Sequence, residues 1–126
     1  MEKLFLEKEQ QIVDAFNSGD IEKILSFFDK DVIVFSSTAH ERLGGLDELK
    51  KTFEYYINQS AKMECSFSSP VIQITENTTV VTFYWLVTLI NESNRQEIHG
   101  RGSHVYIKKG DDWKIIHEHF SRAHNA

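Results

Sequence analysis

The chain of 126 residues has the usual size of one domain, long enough to bury a core without disulfides or metals. With 40% hydrophobic and 26% charged residues it is ordinary globular material, which excludes a disordered or fibrous chain. A formal net charge of -5 works against nucleic acid as a partner, since nucleic-acid domains concentrate Lys and Arg on one face.

Cys65 is the only cysteine, so no internal disulfide can form and a cysteine-rich zinc site is excluded. The most apolar run, Val80 to Ile90, is too short to cross a bilayer and contains Thr82 and Thr88. The start, Met1-Glu2-Lys3-Leu4, lacks the basic segment and apolar segment of a secretion signal. The expectation is a cytoplasmic protein with no membrane partner, folding as a single domain over 1–126.

In chain order, Ile12, Ala15 and Phe16 share one helical stripe, and Ile21, Ile24, Leu25 and Phe28 share a second. Ser18-Gly19-Asp20 between them predicts a tight corner, with Gly19 ending the first helix in the left-handed conformation and Asp20 capping the next. Val32-Ile33-Val34-Phe35 is β-branched and aromatic, as a buried strand requires. After Gly44-Gly45, Asp47 is the predicted cap of a third helix carrying Leu46, Leu49, Phe53, Tyr56 and Ile57 at helical spacing.

From Met63 the period changes to two, predicting strands over about 62–74, 78–90, 96–108 and 113–122. Glu76-Asn77, Asn91 to Asn94 and Gly110-Asp111-Asp112 have hairpin composition, so a meander of antiparallel strands is the simplest topology. Pro70, the only proline, falls inside the first of them and points to an edge or a bulge. Helices first and a meander after predict an α+β layer arrangement. In 80–90 both alternating sets are apolar, with Val81, Phe83, Trp85, Val87 and Leu89 on one side and Val80, Tyr84 and Leu86 on the other. Both sheet faces are therefore expected to be covered, one by the helices and the other in a homodimer paired through the outer sheet face.

The end of the chain carries Gly100-Arg101-Gly102-Ser103 and then Gly110-Asp111-Asp112-Trp113-Lys114-Ile115-Ile116-His117-Glu118-His119-Phe120-Ser121. This resembles the closing hairpin of the nuclear transport factor 2-like superfamily, in the SnoaL-like branch that also holds the association domain of calcium/calmodulin-dependent kinase II. Ala15-Phe16-Asn17-Ser18-Gly19-Asp20, Phe27-Phe28-Asp29-Lys30-Asp31-Val32 and Gly44-Gly45 resemble the superfamily's helix corner, first strand and third-helix entry. The resemblance implies a cone-shaped, curved antiparallel sheet wrapped around the amino-terminal helices, of the ketosteroid isomerase-like and cystatin-like kind. It does not select a function, because this fold hosts isomerases, cyclases, hydrolases, dehydratases and pure binding or association modules.

Strict alternation would put Trp113, Ile115, His117, His119 and Ser121 on one face of the last strand. Facing the cone, His117 and His119 are candidate acid–base groups, since imidazole changes charge near neutral pH. Arg101, His99 and Ser103 share a face of the preceding strand and are candidate ligand contacts with Ser121, the guanidinium suiting a carboxylate or other small anion. Gly100 and Gly102 leave room there for close approach. Trp85, Tyr55 and Phe35 are candidate pocket walls. Beside this stands a structural reading in which the histidines bond to backbone and Arg101 faces solvent. No carboxylate or thiolate completes a metal set with these histidines, so neither a metal nor a cofactor is expected. In steroid-isomerase members of the superfamily a carboxylate base ends the first strand; the matching position here is Ser36, which cannot abstract a proton, although Asp31 or Glu41 lie nearby.

The resemblance and these residues together leave three functions open. The first is a protein that binds a small anionic or carbonyl-containing molecule in the cone. The second is an enzyme of the isomerase, cyclase or dehydratase type using His117 or His119, and the third is a dimerisation or association module.

Overall fold

A computed structural model describes residues 1–123. Helix α1 (Glu2–Ser18) buries Phe5, Glu9, Ile12 and Ala15, a single stripe at helical spacing. Gly19 (φ 71°) ends it in the left-handed conformation, and the Asp20 carboxylate accepts from the Lys23 amide at 3.1 Å to open α2 (Ile21–Leu25). The corner is thus built as the capping chemistry requires. Phe28 does not extend the second helix. It opens strand β1 (Phe28–Phe35), where its pairing with Ile115 of the last strand overrides the helical spacing.

A two-residue strand, β2 (Leu43–Gly44), pairs with β1 and leads into α3 (Leu46–Ile57). Gly45, not Asp47, takes the cap position. Its φ of 86° strains any side chain, and its amide donates to the Val32 carbonyl at 2.9 Å. Asp47 lies in the first turn, where its charge favours the positive helix end.

Four long strands complete the chain: β3 (Lys62–Ile74), β4 (Thr78–Asn91), β5 (Asn94–Lys109) and β6 (Asp112–Arg122). The sheet order is β2-β1-β6-β5-β4-β3, so β6 returns beside β1. That pair is parallel, whereas the others are antiparallel. Pro70 sits on the edge strand β3 and within a bulge, where the register slips between Ser68 and Val71 and Ser69 has φ 52°. Both features dispose of its missing amide.

The sheet curls around α1 and α3. Phe5 meets Tyr106 and Trp113 edge-on at 5.1 Å each, while Phe53 of α3 packs against Phe16 at 5.0 Å and Phe28 at 5.8 Å. The far edge is closed by Asn17, whose side-chain amide donates to the Cys65 carbonyl (3.0 Å) and accepts from the Cys65 amide (2.6 Å). One side chain thereby acts as the missing neighbour strand.

A bulge in β6 decides which residues face the cone. Tyr106 pairs with Ile115 but Val105 pairs with His117, so Ile116 is an extra residue without a partner on β5. Before the bulge Trp113 and Ile115 point inward; after it the inner set is buried Glu118, half-buried Phe120 and, at the exposed end of the strand, Arg122. On β5 the inner set is Gly100, Gly102, His104 and Tyr106.

Candidate functional site

Between the helices and the inner sheet face lies a cavity of about 380 Å³. Its walls are apolar, with Ile12, Phe16, Phe67, Phe83, Trp85 and Phe120 prominent. Two glycines allow this lining. A Cβ at Gly100 would stand 2.0 Å from the Trp85 ring, and one at Gly102 would stand 2.6 Å from the Phe120 ring. Without side chains there, Trp85 lies across β5, donates its indole N–H to the Arg101 carbonyl at 3.0 Å and stacks on Phe120 at 5.8 Å.

The floor carries charge. His104, only 1% exposed, is held between two carboxylates: Nδ1 lies 2.7 Å from Glu9 Oε2 and Nε2 lies 2.6 Å from Glu118 Oε1. The Tyr106 hydroxyl donates to Glu9 Oε2 at 2.7 Å. Burial by itself would lower the His104 pKa, but the Glu9 and Glu118 carboxylates outweigh it and raise the pKa to about 10. The ring is then an imidazolium donating from both nitrogens. Burial and the neighbouring Glu9 charge hold the Tyr106 phenol well above its ordinary range, so it remains a donor. Glu9 is filled by these bonds. Glu118 uses Oε1 on His104, and among the described residues its Oε2 has no hydrogen-bond partner, on a residue that lines the cavity.

Outward from the floor the lining becomes exposed and polar, with Gln59, Gln96 and Arg122. Arg122 is four residues beyond Glu118 on the same face, about 13 Å along the strand. Cys65 also lines the wall, where burial pushes its thiol up to about 11 and keeps it protonated. At the rim the Tyr56 hydroxyl meets Ser36 Oγ and, at 2.9 Å, Thr38 Oγ1. Ser36 thus belongs to a hydroxyl cluster, and Asp31 and Glu41 are exposed outside the cavity lining.

The expected polar row lies elsewhere. His99, Arg101, Ser103, His117, His119 and Ser121 belong to the outer face of the sheet, and none of them lines the cone. The expectation that they face it assumed unbroken alternation, which the extra residue Ile116 reverses for His117, His119 and Ser121. Arg101, Ser103 and His99 face out because their neighbours Gly100, Gly102 and His104 face in. Phe35 is also outside, its ring 5.2 Å from His119 and 6.2 Å from His117. Trp85 and Tyr55 do line the cavity. Among the described residues no group of three or more His, Cys, Asp or Glu side chains is arranged to hold a metal ion, both His104 nitrogens being occupied by carboxylates. No described helix is long and apolar enough to cross a membrane.

The floor residues went unrecognised in the sequence although two of them leave a trace. Glu9 interrupts the apolar stripe Phe5, Ile12, Ala15, and a carboxylate on a core stripe demands a buried donor. His104 alternates with Gly102 and Tyr106, which places it among inward residues.

The SnoaL-like domain family model matches residues 9–125. The chain belongs to the SnoaL-like domain family. The solved structures similar to this SnoaL-like domain have nuclear transport factor 2-like and cystatin-like folds. A putative calcium/calmodulin-dependent protein kinase II association domain from Xanthomonas campestris superposes with a TM-score of 0.88 at 16% identity, over 100% of this chain and 90% of that one. A nuclear transport factor 2-like protein of unknown function from Pseudomonas putida gives 0.84 at 17% identity, over 98% and 87%. The kinase II hub of S. rosetta gives 0.82 at 26% identity, over 96% and 95%. No curated protein matches the sequence significantly.

Proposed function

We propose that this SnoaL-like domain binds a small, mainly apolar molecule in its cone, with a hydrogen-bond donor of the ligand on Glu118 and an anionic or carbonyl end near Arg122. The observation that carries the reading is the open, apolar-walled cavity of about 380 Å³ ending on a buried, charged floor. A hollow of this size suits one small molecule, and a few convergent polar groups in an apolar wall fix its orientation. A module serving only to assemble has no need of such a hollow.

A thermal-shift screen of small phenols and carboxylic acids tests it. A ligand at a hundred times its dissociation constant adds about 2.7 kcal/mol to stability. A hit that is weakened by Glu118→Gln or Arg122→Gln and indifferent to Arg101→Gln supports the cone. Hits indifferent to both cone variants would sink it.

The open Glu118 Oε2 favours a second reading, proton transfer to or from the bound molecule. His104 is 1% exposed and has both ring nitrogens on carboxylates, so Glu118 is the group that would act. Exchange of a ligand C–H for deuterium, lost in Glu118→Gln, separates catalysis from simple binding.

Self-association through the outer sheet face accompanies both readings. Ile33, Phe35, Val71 and Tyr84 are large and exposed there, and hub or association domains of calcium/calmodulin-dependent protein kinase II are among the structural neighbours. Sedimentation velocity of wild type against Phe35→Glu tests a homodimer. The single thiol of Cys65 accords with a reducing, cytoplasmic setting.

A further inference from the structure

On the outer sheet face, opposite the cone, lies a depression lined by Thr82, Tyr84, Arg101, Ser103, His119 and Ser121. Its floor is shallow because β5 contributes Gly102 and Ser103 and β6 contributes Ser121, small residues between the larger Tyr84, Arg101 and His119. The pairing register draws the polar groups together. Arg101 lies directly between Tyr84 on β4 and Ser121 on β6, and Ser103 lies between Thr82 and His119. Directly opposed residues stand about 5 Å apart, and diagonal ones such as Arg101 and His119 remain within reach of long side chains.

Among the described residues no carboxylate lines this depression. Arg101 takes part in no ion pair among the described residues, although this chain carries 19 acidic residues against 14 basic ones. The acidic side chains of β3 and β5 that could share this face, Glu64 and Glu97, are engaged by Lys62 and Arg95 toward the strand ends. What remains is a guanidinium surrounded by hydroxyls and an imidazole, all able to donate hydrogen bonds.

We propose that this outer depression is a binding site for a tetrahedral oxyanion, either free phosphate or the phosphate group of a small ester, held by Arg101 with hydroxyls of Tyr84, Ser103 and Ser121 and with His119 at its edge. The guanidinium supplies parallel N–H donors and the charge, and the hydroxyls from two flanking strands approach oxygens that a planar carboxylate would not present. The overall net charge of -5 opposes any anion at long range, but charges beyond about 8 Å are largely screened at physiological salt, so the local donors decide. The site is separate from the cone ligand.

Isothermal titration calorimetry with inorganic phosphate and with glycerol phosphate, in separate arms, tests the proposal. Wild type is expected to bind at least one of the two, and the arm that responds distinguishes the free ion from an ester. Loss of a hydrogen-bonded charge predicts about ten- to a hundredfold weaker binding in Arg101→Gln, and Ser103→Ala is expected to weaken it by a smaller factor. Arg101 is exposed, so its replacement should leave the fold intact, which far-ultraviolet circular dichroism verifies. No heat in either arm, equal affinity in Arg101→Gln, or loss of binding in Arg122→Gln alone would each overturn the assignment.

Discussion

Gly100 lies beneath the ring of Trp85 so closely that a Cβ would stand 2.0 Å from Cζ2 and 2.5 Å from the Ser121 carbonyl. The strand can only carry hydrogen at that position while the indole forms the cavity wall. Gly100→Ala is therefore expected to destabilise the domain by about 1–3 kcal/mol, as overpacking does. A shift in the Trp85 fluorescence maximum should accompany the lower urea midpoint, because the ring must leave its stacked place on Phe120. Unchanged stability and fluorescence would mean that the wall is not built on this glycine.

The His104 imidazolium is what permits two carboxylates to share the floor. Removing it in His104→Leu strands Glu9 and Glu118 without their common donor, and breaking a buried charge arrangement in this way costs about 3–5 kcal/mol. Tyr106→Phe removes one bond to a charged acceptor and should cost less, about 1.5–3 kcal/mol. Urea denaturation read at the midpoint orders the two. If Tyr106→Phe proved the more damaging, the hydroxyl rather than the imidazolium would be the principal donor to Glu9.

Stability should also depend on pH in the alkaline direction. The pKa of His104 is raised from 6.5 to about 10 in the folded chain, so the folded state holds this proton more tightly than the unfolded state. The stabilisation it confers is complete below about pH 6.5, the ordinary histidine value, and disappears as the pH rises through the folded value. One such proton changes stability by at most about 1.4 kcal/mol per pH unit. Thermal melts between pH 7 and 9 should decline in wild type, and that part of the slope should be absent in His104→Leu. A wild-type slope identical to that of the variant would place the proton elsewhere.

The architecture was legible because its signals are local and periodic. Gly19 and Asp20 announce the helix corner by capping chemistry, Pro70 announces an edge or bulge, and the period of two in 78–90 announces a long strand. The site was not legible for a specific reason. Inserting Ile116 into β6 leaves no mark on composition, yet it reverses the facing of every residue after it, so His117 and His119 exchanged places with Glu118 and Phe120. Glu9 and His104 are distant in sequence and meet only when α1 lies on β5. Asp47 and Phe28 show the same limit on a small scale, since local preference yields to a glycine at positive φ in one case and to strand pairing in the other.

Asn17 ties the end of α1 to the free edge of β3 through two hydrogen bonds with Cys65. Both are near solvent, so each contributes only about 0.5–1.5 kcal/mol, and Asn17→Ala should cost about 1–3 kcal/mol in total. The more telling measurement is amide hydrogen exchange. The Cys65 amide should exchange faster in Asn17→Ala while the amides of β5 remain protected, since local opening of an edge does not require global unfolding. Uniform acceleration across the sheet would mean that Asn17 supports the whole fold and not the edge alone.

The two faces of the sheet can be separated by one pair of variants. His117 and His119 project from the outer face against Phe35, and neither lines the cone. Replacing both by alanine removes half-exposed aromatic packing, so stability should fall by no more than about 1 kcal/mol. A molecule that stabilises wild type through the cone should shift the melting of this double variant by the same increment. Phe120→Ala removes a wall of the cone and the ring stacked on Trp85, so the increment from the same molecule should shrink or vanish. The reverse pattern, with the increment lost in the histidine variant and kept in Phe120→Ala, would return the ligand to the outer face. It would also show that the bulge at Ile116 does not set the facing of β6.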